Sequence, residues 1–110
     1  PEQVKAFLLA TAQGWAAALA DPVRAVALTV NTYGKEQQYD ADAITLSFDR
    51  QATLVESDET AANGLLTISD ELQQGTIDSL AFAGVDIAAS DLFDLSLLDE
   101  MYAENPDLLK

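Results

Sequence analysis

Cysteine and histidine are both absent from this 110-residue chain. The absence of cysteine excludes disulfide bonds, thiolate nucleophiles and metal sites built on sulfur ligands. The absence of histidine removes the side chain that most often acts as a general acid or base near neutral pH. Because no other catalytic motif is present, we predict a chain with no enzymatic activity of its own, no catalytic residues and no cofactor.

Basic residues are scarce, since five Lys and Arg stand against 19 Asp and Glu, which gives a formal net charge of −14. A field of that sign repels phosphate backbones and anionic lipid headgroups, so we expect no nucleic acid partner. The acidic residues are scattered along the chain, which indicates a solvated exterior rather than a single site. A docking face for a basic partner is the alternative interpretation.

Long uncharged apolar runs are also missing, because none approaches the ~20 residues that a membrane-spanning helix needs. We therefore expect no direct membrane insertion. The composition, 49% hydrophobic and 22% charged, is typical of globular proteins. The length fits one structural unit, which we assign to residues 1–110.

The first 30 residues predict a helical hairpin. Asp21 can accept a hydrogen bond from a free backbone N–H at the start of a second helix, and Pro22 suits the first position of that helix. We expect the second helix to extend to Val30, although residues 26–30 also have strand propensity. The first helix is predicted from apolar residues at three- and four-residue spacings, which share one stripe of an α-helix: Val4, Phe7, Leu8, Thr11, Trp15, Ala18 and Leu19.

Capping signals predict about three further helices, for about five in all. Gly34 is expected to end the second helix in a left-handed conformation. Asp40 or Asp42 should cap a third helix that continues to Val55. The polar segment 57–64 is then predicted to be a turn.

The last two helices are predicted from a second group of signals. Ser69 should cap a fourth helix that Gly84 closes. Ser96 and Asp99 have the spacing of a capping box, which predicts a short last helix before Pro106. The chain is therefore predicted to be mostly α-helical.

Two aspartate pairs, Asp40 with Asp42 and Asp91 with Asp94, carry the oxygen ligands that Ca²⁺ prefers. A helix-flanked calcium loop also needs a glycine at its sixth position and a glutamate at its twelfth. Neither pair is followed by these residues. We therefore expect helix capping from these aspartates and no metal site.

An aromatic-rich helix followed by Asp-Pro and a second helix is also typical of tetratricopeptide units. The corresponding period of about 34 residues does not continue beyond the first hairpin. The single hairpin leaves an alternative function. In it, the chain is a free-standing helical protein-interaction module whose tetratricopeptide-like hairpin holds a partner helix.

Four features of the chain recur in this order in one known family. They are the segment 4–15 (VKAFLLATAQGW), the Asp21–Pro22 corner with an Ala-Val segment after it, Gly64, and the segment 91–98 (DLFDLSLL). On these features the chain resembles the C-terminal part of ABC-transporter substrate-binding proteins of the thiamine-pyrimidine-precursor, nitrate and sulfonate group, which have a periplasmic-binding-protein type 2-like fold. The similarity spans nearly all 110 residues.

The resemblance implies a bilobal α/β fold in which this chain supplies the helices that return to the first lobe. It also implies the substrate-binding component of an ABC importer, which binds a thiamine pyrimidine precursor, a sulfonate or nitrate and delivers it to an ABC permease. The location would be extracytoplasmic, either periplasmic or lipid-anchored at the cell surface. The chain opens at Pro1 without a methionine, so we expect a fragment whose apolar faces are buried elsewhere, including by homo-oligomers of the fragment.

Two aromatic residues are candidates for a ligand-binding cleft. Trp15 could stack on a planar heterocycle, but its place on the apolar stripe favours a role in the core. Tyr33 lies beside the Gly34 loop and could face a cleft or a partner, although local packing is the more common role for such a residue. The resemblance implies that these helices mainly provide scaffold.

Overall fold

The computed structural model describes residues 1–109, and 78% of them are helical with no strand among them. The prediction of a mostly α-helical chain is confirmed, with seven α-helices in this range rather than about five. No helix within it is both long enough and apolar enough to cross a bilayer. The seven helices are α1 (Glu2–Ala20), α2 (Pro22–Leu28), α3 (Ala41–Val55), α4 (Asp58–Asn63), α5 (Asp70–Phe82), α6 (Ala89–Leu92) and α7 (Ser96–Glu104).

The predicted hairpin corner is present between α1 and α2. Asp21 Oδ1 accepts a hydrogen bond from the backbone N–H of Arg24 at 3.1 Å, and Pro22 occupies the first turn of α2. Beyond Leu28 the chain continues as a π-helical turn over Thr29–Tyr33, so residues 26–30 are helical despite their strand propensity. The cap therefore outweighs propensity here.

Gly34 does not adopt the left-handed conformation that was predicted for it. Its φ is −108°, and the left-handed residue is Gln38, with φ 53°, after a 3₁₀ turn over Lys35–Gln37. A Cβ at Gly34 would lie 2.5 Å from the Thr29 carbonyl oxygen and 2.7 Å from the Tyr39 ring. Close approach of neighbouring atoms, rather than backbone angle, therefore requires glycine at this position.

The predicted caps of the third and fourth helices are confirmed, and they belong to α3 and α5. Asp40 Oδ1 accepts from the backbone N–H of Ala43 at 2.8 Å, which settles the choice between Asp40 and Asp42. Ser69 Oγ accepts from the backbone N–H of Leu72 at 3.2 Å. Gly84 follows α5 with φ 90°, a conformation that favours glycine.

The prediction of a turn over residues 57–64 is wrong, because α4 lies there. Ser57 Oγ accepts from the backbone N–H of Thr60 at 3.3 Å, and Thr60 Oγ1 accepts from the backbone N–H of Ser57 at 2.8 Å. This is a capping box with threonine in the place usually held by Glu or Gln. The substitution hides the signal from a search for the usual pattern.

The capping box predicted from Ser96 and Asp99 is also wrong. The helix does begin at Ser96, but Asp94 Oδ1 is the acceptor, at 3.0 Å from the Ser96 backbone N and 2.6 Å from its Oγ. These two hydrogen bonds hold the pKa of the Asp94 carboxyl below its usual value. The start of α7 is therefore held by Asp94, which lies two residues before the first residue of the helix.

The small core lies where α1 crosses α7. Ala12 of α1 is buried against three residues of α7, namely Leu98, Met101 and Tyr102. The Tyr102 hydroxyl donates to the Leu65 carbonyl oxygen at 2.6 Å. The apolar side chains packed around this cluster are Leu8, Leu9, Leu66, Leu95 and Leu108, the last of which lies in a 3₁₀ turn over Pro106–Leu109.

An ionic cluster at the edge of the core also joins α1 to α7. The Lys5 ammonium lies 2.8 Å from Glu104, 3.0 Å from Glu2 and 3.5 Å from Glu100, and Lys5 as a whole is only 8% exposed. Hydrogen bonds to Glu104, which has the larger effect, and to Glu2 raise the pKa of Lys5 above its usual value. The first and last helices are thus held together by apolar packing and by charge.

Candidate functional site

Large apolar side chains on the surface are the most prominent feature of the molecule. Phe82 is 97% exposed, Tyr33 86%, Leu54 84%, Val23 82% and Phe7 71%. Single exposed apolar residues are ordinary on protein surfaces, but extensive apolar exposure marks interaction surfaces. The five residues are spread over α1, α2, the turn after α2, α3 and α5.

The total surface area is also large for a chain of this mass. A folded monomer of 11.8 kDa is expected to expose about 5,900 Å². This structure exposes 7,957 Å², an excess of roughly 2,000 Å² over that expectation. The radius of gyration is 16.4 Å, against about 13 Å for a compact domain of this length.

The net charge is confined to one part of the chain. Residues 1–34, which include α1 and α2, contain two acidic residues, Glu2 and Asp21, and two basic residues, Lys5 and Arg24. They contribute no net charge, so the whole −14 comes from residues 35–110. We call residues 1–34 the neutral hairpin.

Helix α1 is uncharged on every side over residues 6–20. One side packs on α7 through Leu8, Leu9 and Ala12, whereas Phe7 on the other side is exposed. A helix without a charged face is typical of helices that are buried all round. The outer side of α1 thus carries Phe7 and small uncharged residues where a solvent-facing helix usually carries charge.

An open groove of about 380 Å³ lies between α1 and α2. The apolar part of its lining comes from Gly14, Ala17, Ala18, Ala25, Leu28 and Tyr33. Its charged lining is limited to Asp21 and Arg24, and the Asp21 carboxylate already caps α2. The volume lies within the usual range for ligand pockets, but the open, mostly apolar form is also that of a helix-packing groove.

The two cleft candidates, Trp15 and Tyr33, border neighbouring depressions that share Gly14 and Ala18 of α1. Trp15 is half-buried and stacks on Phe48 of α3, with ring centroids 6.2 Å apart and an interplanar angle of 19°. It borders a shallow depression that also includes Gly14 and Ala18. Tyr33 borders the α1–α2 groove, which shares Gly14 and Ala18 with that depression.

Phe7 and Arg24 are the residues of this surface that sequence reasoning missed. Phe7 was placed on the apolar stripe with Leu8, but in the structure the two side chains lie on different sides of α1. Arg24 is not among the residues named in the sequence analysis. The signal that could have identified Phe7 is the absence of charge on all sides of α1, which predicts two buried faces rather than one.

Metal-ligating groups and side chains with shifted pKa values are the next feature of the described residues. No group of three or more Asp or Glu residues within 1–109 is placed to hold a metal ion. The raised pKa of Lys5 keeps it as an ammonium, the form that cannot act as a nucleophile. Burial likewise raises the pKa of Tyr102, which keeps its hydroxyl protonated.

A second cavity, of about 340 Å³, lies between the end of α1, the α4 region and the C-terminal turn. Leu19, Leu65 and Leu108 form much of its apolar lining, and Glu56 is its charged residue. No aromatic ring lines it. We therefore take the outer face of the neutral hairpin, formed by Phe7 and the α1–α2 groove, as the candidate functional surface.

Comparisons with family models, with curated proteins and with solved structures found no match to this chain.

Proposed function

We propose that this chain supplies scaffold helices to the substrate-binding component of an ABC importer. The solute would be small, such as a thiamine pyrimidine precursor, a sulfonate or nitrate, and the receptor would deliver it to a membrane permease from an extracytoplasmic position. The sequence resemblance described above is the origin of this proposal. Its mechanism is closure of two lobes around the solute, with these helices in the body of one lobe.

The structural observation that carries the proposal is the uncharged α1 together with the excess surface of roughly 2,000 Å². A helix that lies within the body of a larger domain needs apolar side chains on more than one side. The outer face of α1, with Phe7 and the adjoining groove, meets that requirement. The remainder of the receptor would cover it.

Thermal unfolding of the full-length protein tests the solute-binding function. Pyrimidines, sulfonates and nitrate would each be added in turn, and the bound solute is expected to raise Tm because it stabilises the folded state. The 110-residue chain on its own serves as the control and should show no shift with any of them. A shift in the isolated chain, or none in the full-length protein with any of these solutes, would contradict the proposal.

The α1–α2 groove supports one alternative, a free-standing module that holds a partner helix against its hairpin. Apolar grooves bind amphipathic helices through side chains at helical spacing. The coding sequence upstream of Pro1 separates the two functions. A preceding α/β domain of roughly 200 residues favours the receptor, and a start codon immediately before Pro1 favours the module.

A further inference from the structure

We propose that the outer face of the neutral hairpin binds a second copy of this chain, in an antiparallel dimer where Phe7 of each copy enters the α1–α2 groove of the other. This inference concerns the 110-residue chain and does not rest on the receptor function. In a complete receptor, other segments would occupy the same face.

The exposed Phe7 ring and the α1–α2 groove lie on the same side of α1. At 100° per residue, Gly14 and Ala18 each lie within about 20° of Phe7 around the helix axis. Leu8, Ala12 and Leu9 lie about 100°, 140° and 160° from Phe7 around the axis, and they pack with the α7 core. An approaching surface therefore meets Phe7 and the groove together.

The spacing along α1 suits a two-fold arrangement. Phe7 and Ala18 are eleven residues apart, which is about 16.5 Å along the helix, and Ala18 lines the groove. A two-fold axis perpendicular to α1, midway between these two residues, places Phe7 of one copy opposite Ala18 of the other, and the reverse. In such an isologous interface, the Phe7 ring of each copy enters the groove of the other, so the same contact occurs at two symmetry-related positions.

The surface that the whole chain exposes in excess is larger than one dimer interface needs. A stable interface buries about 800 Å² on each partner, and the chain exposes roughly 2,000 Å² more than a compact monomer of its mass. The groove, of about 380 Å³, is open and mostly apolar. An aromatic ring buried there contributes the kind of central contact that dominates binding energy.

Charge selects this face over the rest of the surface. Two chains of net charge −14 repel each other, and residues 35–110 carry all of that charge. The hairpin, with two acidic and two basic residues, is the part that can meet a copy of itself without that repulsion. A basic partner would find little to pair with on the same face.

Sedimentation equilibrium of the 110-residue chain provides the first test. We expect a concentration-dependent dimer, and Phe7→Glu should raise its dissociation constant by about 30-fold or more, as for a residue that dominates an interface. The matched control is Phe82→Glu, since Phe82 is even more exposed but lies on α5, which packs mainly against α6. Equal effects of the two changes would indicate non-specific association and overturn the proposal.

Two glycines provide a second, independent pair of variants. An added Cβ at Gly14 or at Gly75 meets no atom within 4 Å, so a side chain can start from either position without a clash at its first atom. Gly14→Leu fills the groove and should abolish the dimer, whereas Gly75→Leu should leave the dissociation constant unchanged. Circular dichroism of both variants should show retained helix, which separates loss of the interface from loss of the fold.

Salt dependence gives a third readout. Raising the NaCl concentration from 0.05 M to 0.5 M should strengthen the dimer, because screening weakens repulsion between the acidic parts of the two copies. A dimer that weakens with salt, or a chain that remains monomeric at all concentrations, would overturn the proposal. Neither result bears on solute binding by the full-length protein, so the two proposals fail separately.

Discussion

At the scale of single residues, Gly64 lies against the Tyr102 ring, where the α4 region meets the core. Gly64 is buried with φ 105°, and a Cβ there would lie 2.6 Å from the Tyr102 ring. Two independent constraints therefore require glycine: the backbone angle and the ring above it. Neither is visible in the sequence, where Gly64 follows Asn63 as an ordinary turn signal.

We predict that Gly64→Ala destabilises the chain by about 2 kcal/mol or more, because it combines backbone strain with displacement of a buried ring. Urea denaturation monitored by circular dichroism measures the change. Gly75→Ala is the matched control, since Gly75 lies inside α5 with no atom near its Cβ position. That change should stabilise the protein by about 0.5–1 kcal/mol. Similar destabilisation by both would contradict the proposed role of Tyr102.

Lys5 provides a pH-dependent prediction. Its pKa is raised in the folded state, chiefly by Glu104, so its contribution to stability is complete below the unfolded value of about 10.4 and is lost as pH rises through the folded value. We expect the wild-type chain to lose stability above about pH 10.4, and Lys5→Met to lose less over the same range. Urea denaturation from pH 8 to 12 measures this. Lys35→Met, at an exposed position, should keep the wild-type pH dependence.

At the scale of secondary-structure elements, prediction from sequence succeeded where a helix end depends on a common capping pattern. The Asp21, Asp40 and Ser69 side chains each accept from a backbone N–H three residues later, as N-cap residues usually do. Prediction failed at α4, where Thr60 replaces the usual Glu or Gln of a capping box, and at α7, where the acceptor, Asp94, lies two residues before the helix start.

The choice of which helix face meets which neighbour could not be predicted. Phe7 and Leu8 are adjacent, apolar and equally suited to a core, and the packing of α1 against α7 alone decides that Leu8 contacts the core and Phe7 is exposed. The candidate functional surface also depends on helix packing, which the sequence does not show. Trp15 and Tyr33 were identifiable as aromatic candidates, whereas the groove between α1 and α2 depends on how the two helices pack.

The cap of α3 gives a prediction at this scale. Asp40→Ala removes the hydrogen bond to the backbone N–H of Ala43 and should cost about 1 kcal/mol. Asp42→Ala is the control, because Asp42 lies in the first turn and interacts with the helix dipole alone, worth about 0.3–1 kcal/mol when exposed. Urea denaturation of both variants measures the difference. A larger loss for Asp42→Ala would show that the cap assignment is wrong.

At the scale of the whole molecule, the structure is more extended than its mass predicts. Four buried apolar residues form the core, while large side chains remain exposed along α1, α2, α3 and α5. A core of this size gives little stability in isolation, because small domains already bury a low fraction of their unfolded surface. Contact with the remainder of the proposed receptor, or with a second copy as proposed above, would bury more apolar surface.

The urea m-value of the monomer tests whether this extended form exists in solution. The m-value is proportional to the surface exposed on unfolding. An unfolded chain of this mass exposes about 17,000 Å². The native exposure of 7,957 Å², against about 5,900 Å² for a compact monomer, therefore reduces the m-value by about one-fifth. The Phe7→Glu variant at low concentration provides the monomer for this measurement. An m-value equal to that of compact domains of the same length would mean that the exposed apolar side chains are covered within a single chain, which would remove the argument for a contact surface on the neutral hairpin.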